Sequence, residues 1–200
     1  GCWYSGGWVV VTHSQLLELL NQLILNWEDE VVEFKKFKSE SKANREISNY
    51  FSALANEANL RNKESGWLVF GVDNRRKIVG TSVLATVDER NRFVQTIAGF
   101  VEPRISFRNV FELNMDQGRV VLCEVPPGPR GMLIASDGIC YGREGESLKS
   151  LSIDKQDEIR RQAGFDWTAQ IVPDATLDHL DSMALQYARE AYAKKHANRF

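Results

Sequence analysis

Hydrophobic positions recur at helical spacing in the first part of the chain. From Ser14 to Ile24 leucines and one isoleucine repeat every three or four residues, with Ser14 as the expected helix cap. Residues 27–37 then alternate between apolar and charged side chains, which predicts a strand. A polar stretch follows, and a second amphipathic helix is expected from about Arg45 to Leu60.

The middle of the chain contains a buried strand and a helix. Residues 67–72 form a continuous apolar run bounded by glycines, the pattern of a strand that is covered on both faces. The DNRRK turn after it leads into a short KIVG segment, so we expect a hairpin with Asp73 at its mouth. Residues 87–100 are expected to form an amphipathic helix.

The second half of the chain predicts four more strands and two more helices. The strands are expected over 106–113, 119–125, 131–135 and 138–143, and the helices over 152–163 and 176–198. Thr176 or Asp174 would cap the last helix, whose apolar face would pack on the domain or on a neighbouring molecule.

These elements predict a mixed α/β (α+β) fold. We expect a central mixed sheet of about five or six strands, flanked by helices and followed by a C-terminal helix. Residues 1–11 have a different, glycine-rich composition and are interpreted as an expression or processing remnant, with a native edge strand as the alternative. Residues 12–165 are expected to form the main domain, and residues 166–200 a helical extension or a linker to a further module.

Composition limits the classes of function. Hydrophobic residues make up 43% of the 200 residues, enough for a sizeable core, and the net charge of −2 means that any nucleic-acid-binding surface must be local. The three cysteines are widely spaced without a CxxC pair, which argues against a zinc site and favours a reducing, cytoplasmic setting. No apolar run is long enough to span a bilayer, so no membrane partner is expected.

Four short motifs occur in one order along the chain. The first is an EFK triplet that starts at Glu33, with Glu28 five residues before it. The others are SALAN (52–56) at the end of a helix, LVFGVDN in a strand, and YGREG (141–145) much later. Together they resemble the motifs of the Schlafen AlbA-like domain, over roughly residues 16–161. The chain departs from that pattern in an expanded link after SALAN and in Asn74, where relatives have a second acid after GVD.

The resemblance implies a role for three acids. In the ribonuclease branch of the family such acids hold Mg²⁺ or Mn²⁺, here Glu28, Glu33 and Asp73, with Lys35 against the scissile phosphate. Asn74 weakens this site if the third acid is the second one after GVD. Taken alone, Glu28 and Glu33 are five residues apart and would face opposite sides of a regular strand unless it is bulged or Glu28 precedes it. The alternative is a solvated strand face with surface ion pairs.

A second group of residues is basic and suits phosphate contacts. Tyr141 would add stacking on a base if it is exposed. The candidate nucleic-acid-binding cations are Lys35, Lys36, Lys38, Arg45, Arg75, Arg76, Lys77 and Arg143. The alternative is a set of soluble loops, diluted by neighbouring acids.

Three functional hypotheses follow. The leading one, which rests on the resemblance and the basic groups, is a regulatory domain that binds DNA or RNA. The sequence assigns no cofactor to it. The second is an endoribonuclease dependent on Mg²⁺ or Mn²⁺. The third is an interaction or homo-oligomerisation module that uses the C-terminal helix. Neither glycine-rich segment matches a P-loop, so ATP binding is not expected.

Overall fold

Short strands and helices alternate along the chain. The computed structural model describes residues 11–26, 30–35, 43–163 and 181–196. The elements in chain order are α1 (His13–Leu25), β1 (Val32–Lys35), α2 (Ala43–Leu60), β2 (Gly66–Phe70), α3 (Val87–Phe100), β3 (Val101–Glu102), β4 (Asn109–Met115), β5 (Gly118–Val125), β6 (Ala135–Ser136), β7 (Ile139–Glu144), β8 (Ser147–Ser150), α4 (Ile153–Arg161) and α5 (Ser182–His196).

The first sheet has four strands in the order β1-β2-β5-β4. β1 runs parallel to β2, while β5 is antiparallel to both β2 and β4. The register pairs Glu33 with Leu68 and Lys35 with Phe70, so these side chains share one face of the sheet. On the other face Val32 and Val69 pack with α1 through Leu16, Leu20 and Leu23.

The two faces of this sheet each cover a hydrophobic core, one against α1 and a second on the face of Leu68 and Phe70. There α2 and α3 bring Phe51, Leu54, Phe93 and other apolar side chains onto β2 and β5. Phe51 and Phe107 meet edge to face with ring centroids 4.9 Å apart, an arrangement that aromatic pairs prefer. Gly66 allows the close approach of α2, because a Cβ there would lie 3.0 Å from the Leu54 Cβ.

The second sheet has the order β3-β6-β7-β8, and its strands pair in antiparallel fashion. Helix α2 carries a polar stripe, the side chains Ser48, Ser52, Asn56 and Asn59 at helical spacing. The first three contact this sheet, and Asn59 donates to the Gly128 carbonyl in the loop before β6. Asn56 makes three of these bonds: it donates to the carbonyls of Ile134 and Tyr141, both at 2.9 Å, and accepts the Ile134 amide at 2.9 Å. The helix therefore binds one sheet through apolar contacts and the other through hydrogen bonds.

The structure confirms the mixed α/β class and divides the strands between two sheets. The division follows β5, where Pro126, Pro127 and Pro129 lack the amides that continue a strand ladder. The KIVG segment forms a single bridge, Val72 with Ile78, rather than a full partner strand. Within the described residues no helix is both long enough and apolar enough to span a membrane.

The helix ends follow local capping chemistry. Helix α3 has the predicted bounds, but α1 begins at His13 because Thr12, not Ser14, forms a capping box with Gln15. Contacts divide the chain into two units, residues 1–163 and 164–200. In the second unit, the Asp181 carboxylate accepts the amides of Met183 and Ala184 at the start of α5. The expected caps Asp174 and Thr176 lie outside the described residues.

Candidate nucleic-acid interface and buried charge network

Glu33 lies at the centre of a charged cluster on the α2 face of β1. One carboxylate oxygen is 2.5 Å from Arg143 Nη1 and the other is 3.2 Å from Lys35 Nζ. Arg143 is only 3% exposed and also donates to the Val32 carbonyl at 2.8 Å. Because buried charges are costly unless paired, both cations fix the Glu33 carboxylate in place.

Lys35 extends the same cluster toward α2. Its ammonium group lies 3.0 Å from the Glu46 carboxylate and 2.9 Å from the Tyr50 hydroxyl. Burial alone would lower the pKa of Lys35, but the hydrogen bond to Tyr50 and the carboxylates of Glu33 and Glu46 raise it above its ordinary value of 10.5. Lys35 is therefore a permanent positive charge at the C-terminal end of β1.

A second set of charges continues the cluster around Glu57, which is 1% exposed. One Glu57 oxygen accepts the Arg143 amide at 3.0 Å and the Lys155 ammonium at 2.6 Å, while the Arg61 guanidinium approaches the other at 3.6 Å. Arg61 also pairs with Glu30. Together Glu30, Glu33, Glu57, Arg61, Arg143 and Lys155 form the charge network that joins β1, α2, β7 and α4.

Glu30 is the partly buried carboxylate of this charge network that precedes β1. Burial alone would raise its pKa, but the Gly145 amide, Arg61 and Lys155 hold the pKa of Glu30 below its ordinary value of 4.5. The Gly145 amide donates to Glu30 at 3.0 Å, so the carboxylate also anchors the turn between β7 and β8. Sequence reasoning had not singled out Glu30, Glu57 or Lys155, because the charges that oppose them are far away in the chain.

Asp73 organises the turn of residues 73–77, called here the basic turn. Its Oδ1 accepts the amides of Arg75 and Lys77, both at 2.9 Å. This is an Asx-type turn, in which a side chain replaces a backbone acceptor. Arg75 and Lys77 are exposed as a result, and the Arg76 guanidinium is 3.8 Å from Glu146 in the β7–β8 turn.

The acids of the metal hypothesis have other partners in the described structure. Glu33 is paired with Arg143 and Lys35, and Asp73 caps the basic turn, while Glu28 lies outside the described residues. In the part of the chain that the structure describes, no cluster of three or more His, Cys, Asp or Glu side chains is placed to hold a metal ion. Metal binding by Glu28, Glu33 and Asp73 stays a prediction.

The candidate cations differ in accessibility. Arg75 and Lys77 are exposed, and Arg45 is exposed with its guanidinium 2.7 Å from Asp137. Arg143 is buried and its guanidinium pairs with Glu33; its contact with a phosphate stays a prediction. Lys36 and Lys38 lie outside the described residues.

Tyr141 is half-buried and is fixed through its backbone. Its amide donates to Ser52 Oγ at 3.0 Å, and its carbonyl accepts from Asn56. The SALAN and YGREG motifs are therefore in contact, because the polar stripe of α2 binds the backbone of β7. The sequence signal was a row of serine and asparagine residues at helical spacing, which are poor helix formers unless their side chains have partners.

Comparison with known proteins identifies the family. The sequence profile described as "Schlafen, AlbA_2" matches residues 28–152, more than half of the chain. The chain belongs to the Schlafen AlbA_2 family. No curated protein matches it. The matched range begins at the first expected acid and includes β1, the polar stripe, the basic turn and the whole β7–β8 hairpin.

Two solved structures are similar to this chain. The DIP2311 protein of Corynebacterium diphtheriae is 20% identical with a TM-score of 0.53, over 92% of this chain and 35% of that protein. The N-terminal domain of a RecG-related protein from Nitrosomonas europaea is 17% identical with a TM-score of 0.45, over 68% of this chain and 90% of that domain. This chain thus spans about a third of the length of DIP2311.

Proposed function

We propose that this Schlafen AlbA_2 chain binds nucleic acid through cations beyond the C-terminal ends of β1 and β2. The observation that carries the proposal is the construction of the basic turn. Asp73 directs its carboxylate onto the amides of Arg75 and Lys77, at 2.9 Å each, and both cationic side chains are exposed. Exposed Arg and Lys side chains on an ordered loop are the groups that proteins use most to bind phosphate oxygens.

Neighbouring cations extend this surface. Lys35 ends β1 beside Phe70, the last residue of β2, and Gly71 donates its amide to the Lys35 carbonyl at 3.2 Å. Arg45, in the first turn of α2, and Arg76 make surface ion pairs with Asp137 and Glu146. Such pairs contribute little free energy, so a phosphate can displace the carboxylate at low cost.

Binding without cleavage is favoured over the endoribonuclease hypothesis by the contacts of the acids. Glu33 is neutralised by Arg143 and Lys35, and Asp73 is used as a turn cap. A metal ion would have to displace these partners to gain the same oxygen ligands. We therefore propose that affinity for nucleic acid does not depend on divalent ions.

The regulatory role is a proposal of the same kind. Family membership favours a domain that brings a regulatory protein to DNA or RNA. The net charge of −2 means that attraction must come from the local cations rather than from the whole surface. We therefore propose a binding site that recognises phosphate geometry first, with base contacts contributed by neighbouring groups.

Fluorescence anisotropy with labelled single- and double-stranded DNA and RNA tests the proposal. Arg75→Glu/Lys77→Glu is expected to weaken binding and, because each phosphate contact releases counterions, to reduce the slope of log K against log salt by about two. Arg104→Glu/Arg130→Glu is the matched control, since both arginines are exposed and lie outside this edge. EDTA should leave the affinities unchanged.

The outcome that contradicts the proposal is equal affinity in the two double variants. Equal loss in both would indicate a nonspecific response to net charge instead of a site at the basic turn. Circular dichroism of each variant establishes that the fold is intact before affinities are compared.

A further inference from the structure

A cavity of about 310 Å³ opens at Phe70, the last residue of β2, three residues before the basic turn begins. Phe70 and Phe93 form its floor, Val83 and Leu84 form one wall, and Arg92 and Thr96 of α3 lie at the mouth. This volume is at the small end of ligand pockets, which run from about 300 to 1,000 Å³. The cavity thus suits a single ring system rather than a peptide or a lipid chain.

The Val83 and Leu84 wall is held rigidly by two arginines. Arg119 donates to the carbonyls of Val83 and Leu84, both at 2.6 Å, and Arg90 donates to the Leu84 carbonyl at 3.0 Å. Glu112 lies between the two guanidinium groups, 2.8 Å from Arg119 Nε and 2.9 Å from Arg90 Nη1. These bonds fix the backbone carbonyls of Val83 and Leu84.

Leu84 itself is strained. Its φ of +56° is in the left-handed region, which side chains other than glycine and asparagine rarely adopt. Strain of this kind persists only where surrounding contacts impose it, and it collects at ligand sites. Arg90, Arg119 and Glu112, called here the arginine clamp, thus maintain an apolar wall that a relaxed loop would not present.

The polar groups around the cavity fit a nucleotide. Arg92 is exposed at the mouth, where its guanidinium would meet a phosphate. The neighbouring acid Glu89 is already used, because its carboxylate accepts the Ala85 amide at 2.8 Å in the cap of α3. Asn44 and Thr96 offer donors and acceptors to the edge of a base.

We propose that this cavity takes one unpaired nucleobase of a strand whose phosphates lie on the basic turn. The inference rests on the proposed function and deepens it, since a base can enter the cavity only if it is out of a duplex. The preferred ligand is therefore single-stranded DNA or RNA, or a loop with an extruded base.

The test fills the cavity without changing charge. Thr96→Trp places an indole at the mouth, and Gln95→Trp places one on the exposed face of the same helix outside the cavity. Thr96→Trp is expected to weaken binding of a labelled single-stranded oligonucleotide about tenfold, the loss expected for one base contact. Gln95→Trp is expected to bind as the natural chain does, and the matching duplex to bind both variants equally.

A second probe separates this inference from the proposed function. Millimolar AMP and UMP are expected to shift the amide resonances of Leu84 and Thr96 in two-dimensional NMR spectra of the natural chain, and to leave the Leu84 resonance of Thr96→Trp unshifted. If Arg75→Glu/Lys77→Glu loses affinity while Thr96→Trp and Gln95→Trp bind alike, the cavity is not a base site, although the basic turn remains one. If no oligonucleotide binds at all, the proposed function fails, and unshifted Leu84 and Thr96 resonances then overturn the cavity as well.

Discussion

Arg143 and Glu33, which are 110 residues apart in the chain, form a buried ion pair that ties the second sheet to the first. Arg143 Nη1 lies 2.5 Å from Glu33 Oε2, and the same guanidinium group donates to the carbonyl of Val32. The motifs EFK and YGREG, which lie near the two ends of the family match, are therefore in direct contact. The ion pair between them holds β7 against β1, behind the proposed interface.

Loss of Arg143 should be strongly destabilising. Arg143→Met leaves the Glu33 carboxylate buried with one cation fewer, so a decrease of about 3–5 kcal/mol in the free energy of unfolding is expected. Urea unfolding measures it. Arg160→Met is the control, because Arg160 pairs with Asp157 at the surface and should contribute less than about 1 kcal/mol. Glu33→Gln/Arg143→Met should lose less unfolding free energy than its two single variants lose when added together. A loss equal to that sum would argue against coupling.

Asn56 is expected to be the most sensitive residue of the polar stripe. Asn56→Leu removes three hydrogen bonds to the backbone of Ile134 and Tyr141 and leaves buried groups unpaired, which costs about 1–3 kcal/mol for each such group. Thermal and urea unfolding give the loss. The same exchange at Asn91, which is exposed on α3, should change stability by less than about 0.5 kcal/mol. Equal effects at both sites would contradict the role assigned to the stripe.

Gly142 should not tolerate a methyl group. A Cβ at this position would be 2.5 Å from Leu151 Cδ1 and 3.0 Å from Glu57 Oε1, so Gly142→Ala is expected to destabilise the fold by about 1–3 kcal/mol. At Gly99 of α3 a Cβ meets nothing within 4 Å, and Gly99→Ala should stabilise the fold by about 0.5–1 kcal/mol. The prediction is that the two substitutions change the unfolding free energy in opposite directions, and calorimetry of both variants measures this.

Acid should weaken the arginine clamp through Glu112. The hydrogen bond from Arg119 lowers the pKa of Glu112 below its ordinary value of 4.5, against a smaller opposing effect of burial, with Asn114 and Arg90 adding to the decrease. A carboxylate with a lowered pKa contributes stability above its unfolded value and loses it as pH falls through the folded value. The difference in unfolding free energy between the natural chain and Glu112→Gln should be constant from neutral pH to about 4.5 and shrink below it.

The control for this pH dependence is Glu102→Gln, because Glu102 is exposed. Its difference from the natural chain should show little change over the same interval. A difference for Glu112→Gln that grows as pH falls would mean that the clamp does not favour the charged carboxylate.

Divalent metal ions are expected to leave nucleic acid intact. With Mn²⁺, labelled tRNA and single-stranded DNA should remain uncut, because Glu33 and Asp73 are already engaged by cations and by turn amides. The informative comparison is with Glu28→Ala/Glu33→Ala and with Asn74→Asp, which restores the second acid of the family pattern. Cutting by the natural chain that disappears in the Glu28→Ala/Glu33→Ala variant would establish the endoribonuclease hypothesis instead.

Local patterns predicted much of this fold. The bounds of α3 follow from an apolar repeat, and α2 and β5 lie close to their expected ranges, because each signal is contained within a few neighbouring residues. The division into two sheets did not follow from such signals. It depends on prolines that end β5 and on hydrogen bonds from α2 to strands about 80 residues further along the chain.

The candidate site was predictable only in part. The face shared by Glu33 and Lys35 follows from strand alternation, and the exposure of Arg75 and Lys77 follows from the turn residues. The burial of Arg143 could not be read from YGREG, because Glu33, the carboxylate that neutralises it, lies in β1. Residue type alone does not distinguish an arginine that binds phosphate from one that neutralises a buried acid.

The attachment of β7 to side chains of α2 has a consequence for exchange with solvent. The amides of Tyr141 and Arg143 donate to Ser52 and Glu57, whereas amides in the middle of β5 donate to neighbouring strands. Deuterium uptake at Tyr141 and Arg143 would thus report how often the helix separates from the hairpin, independently of the opening of either sheet. The exchange rates of these two amide protons would in this way measure how often α2 and the β7–β8 hairpin separate.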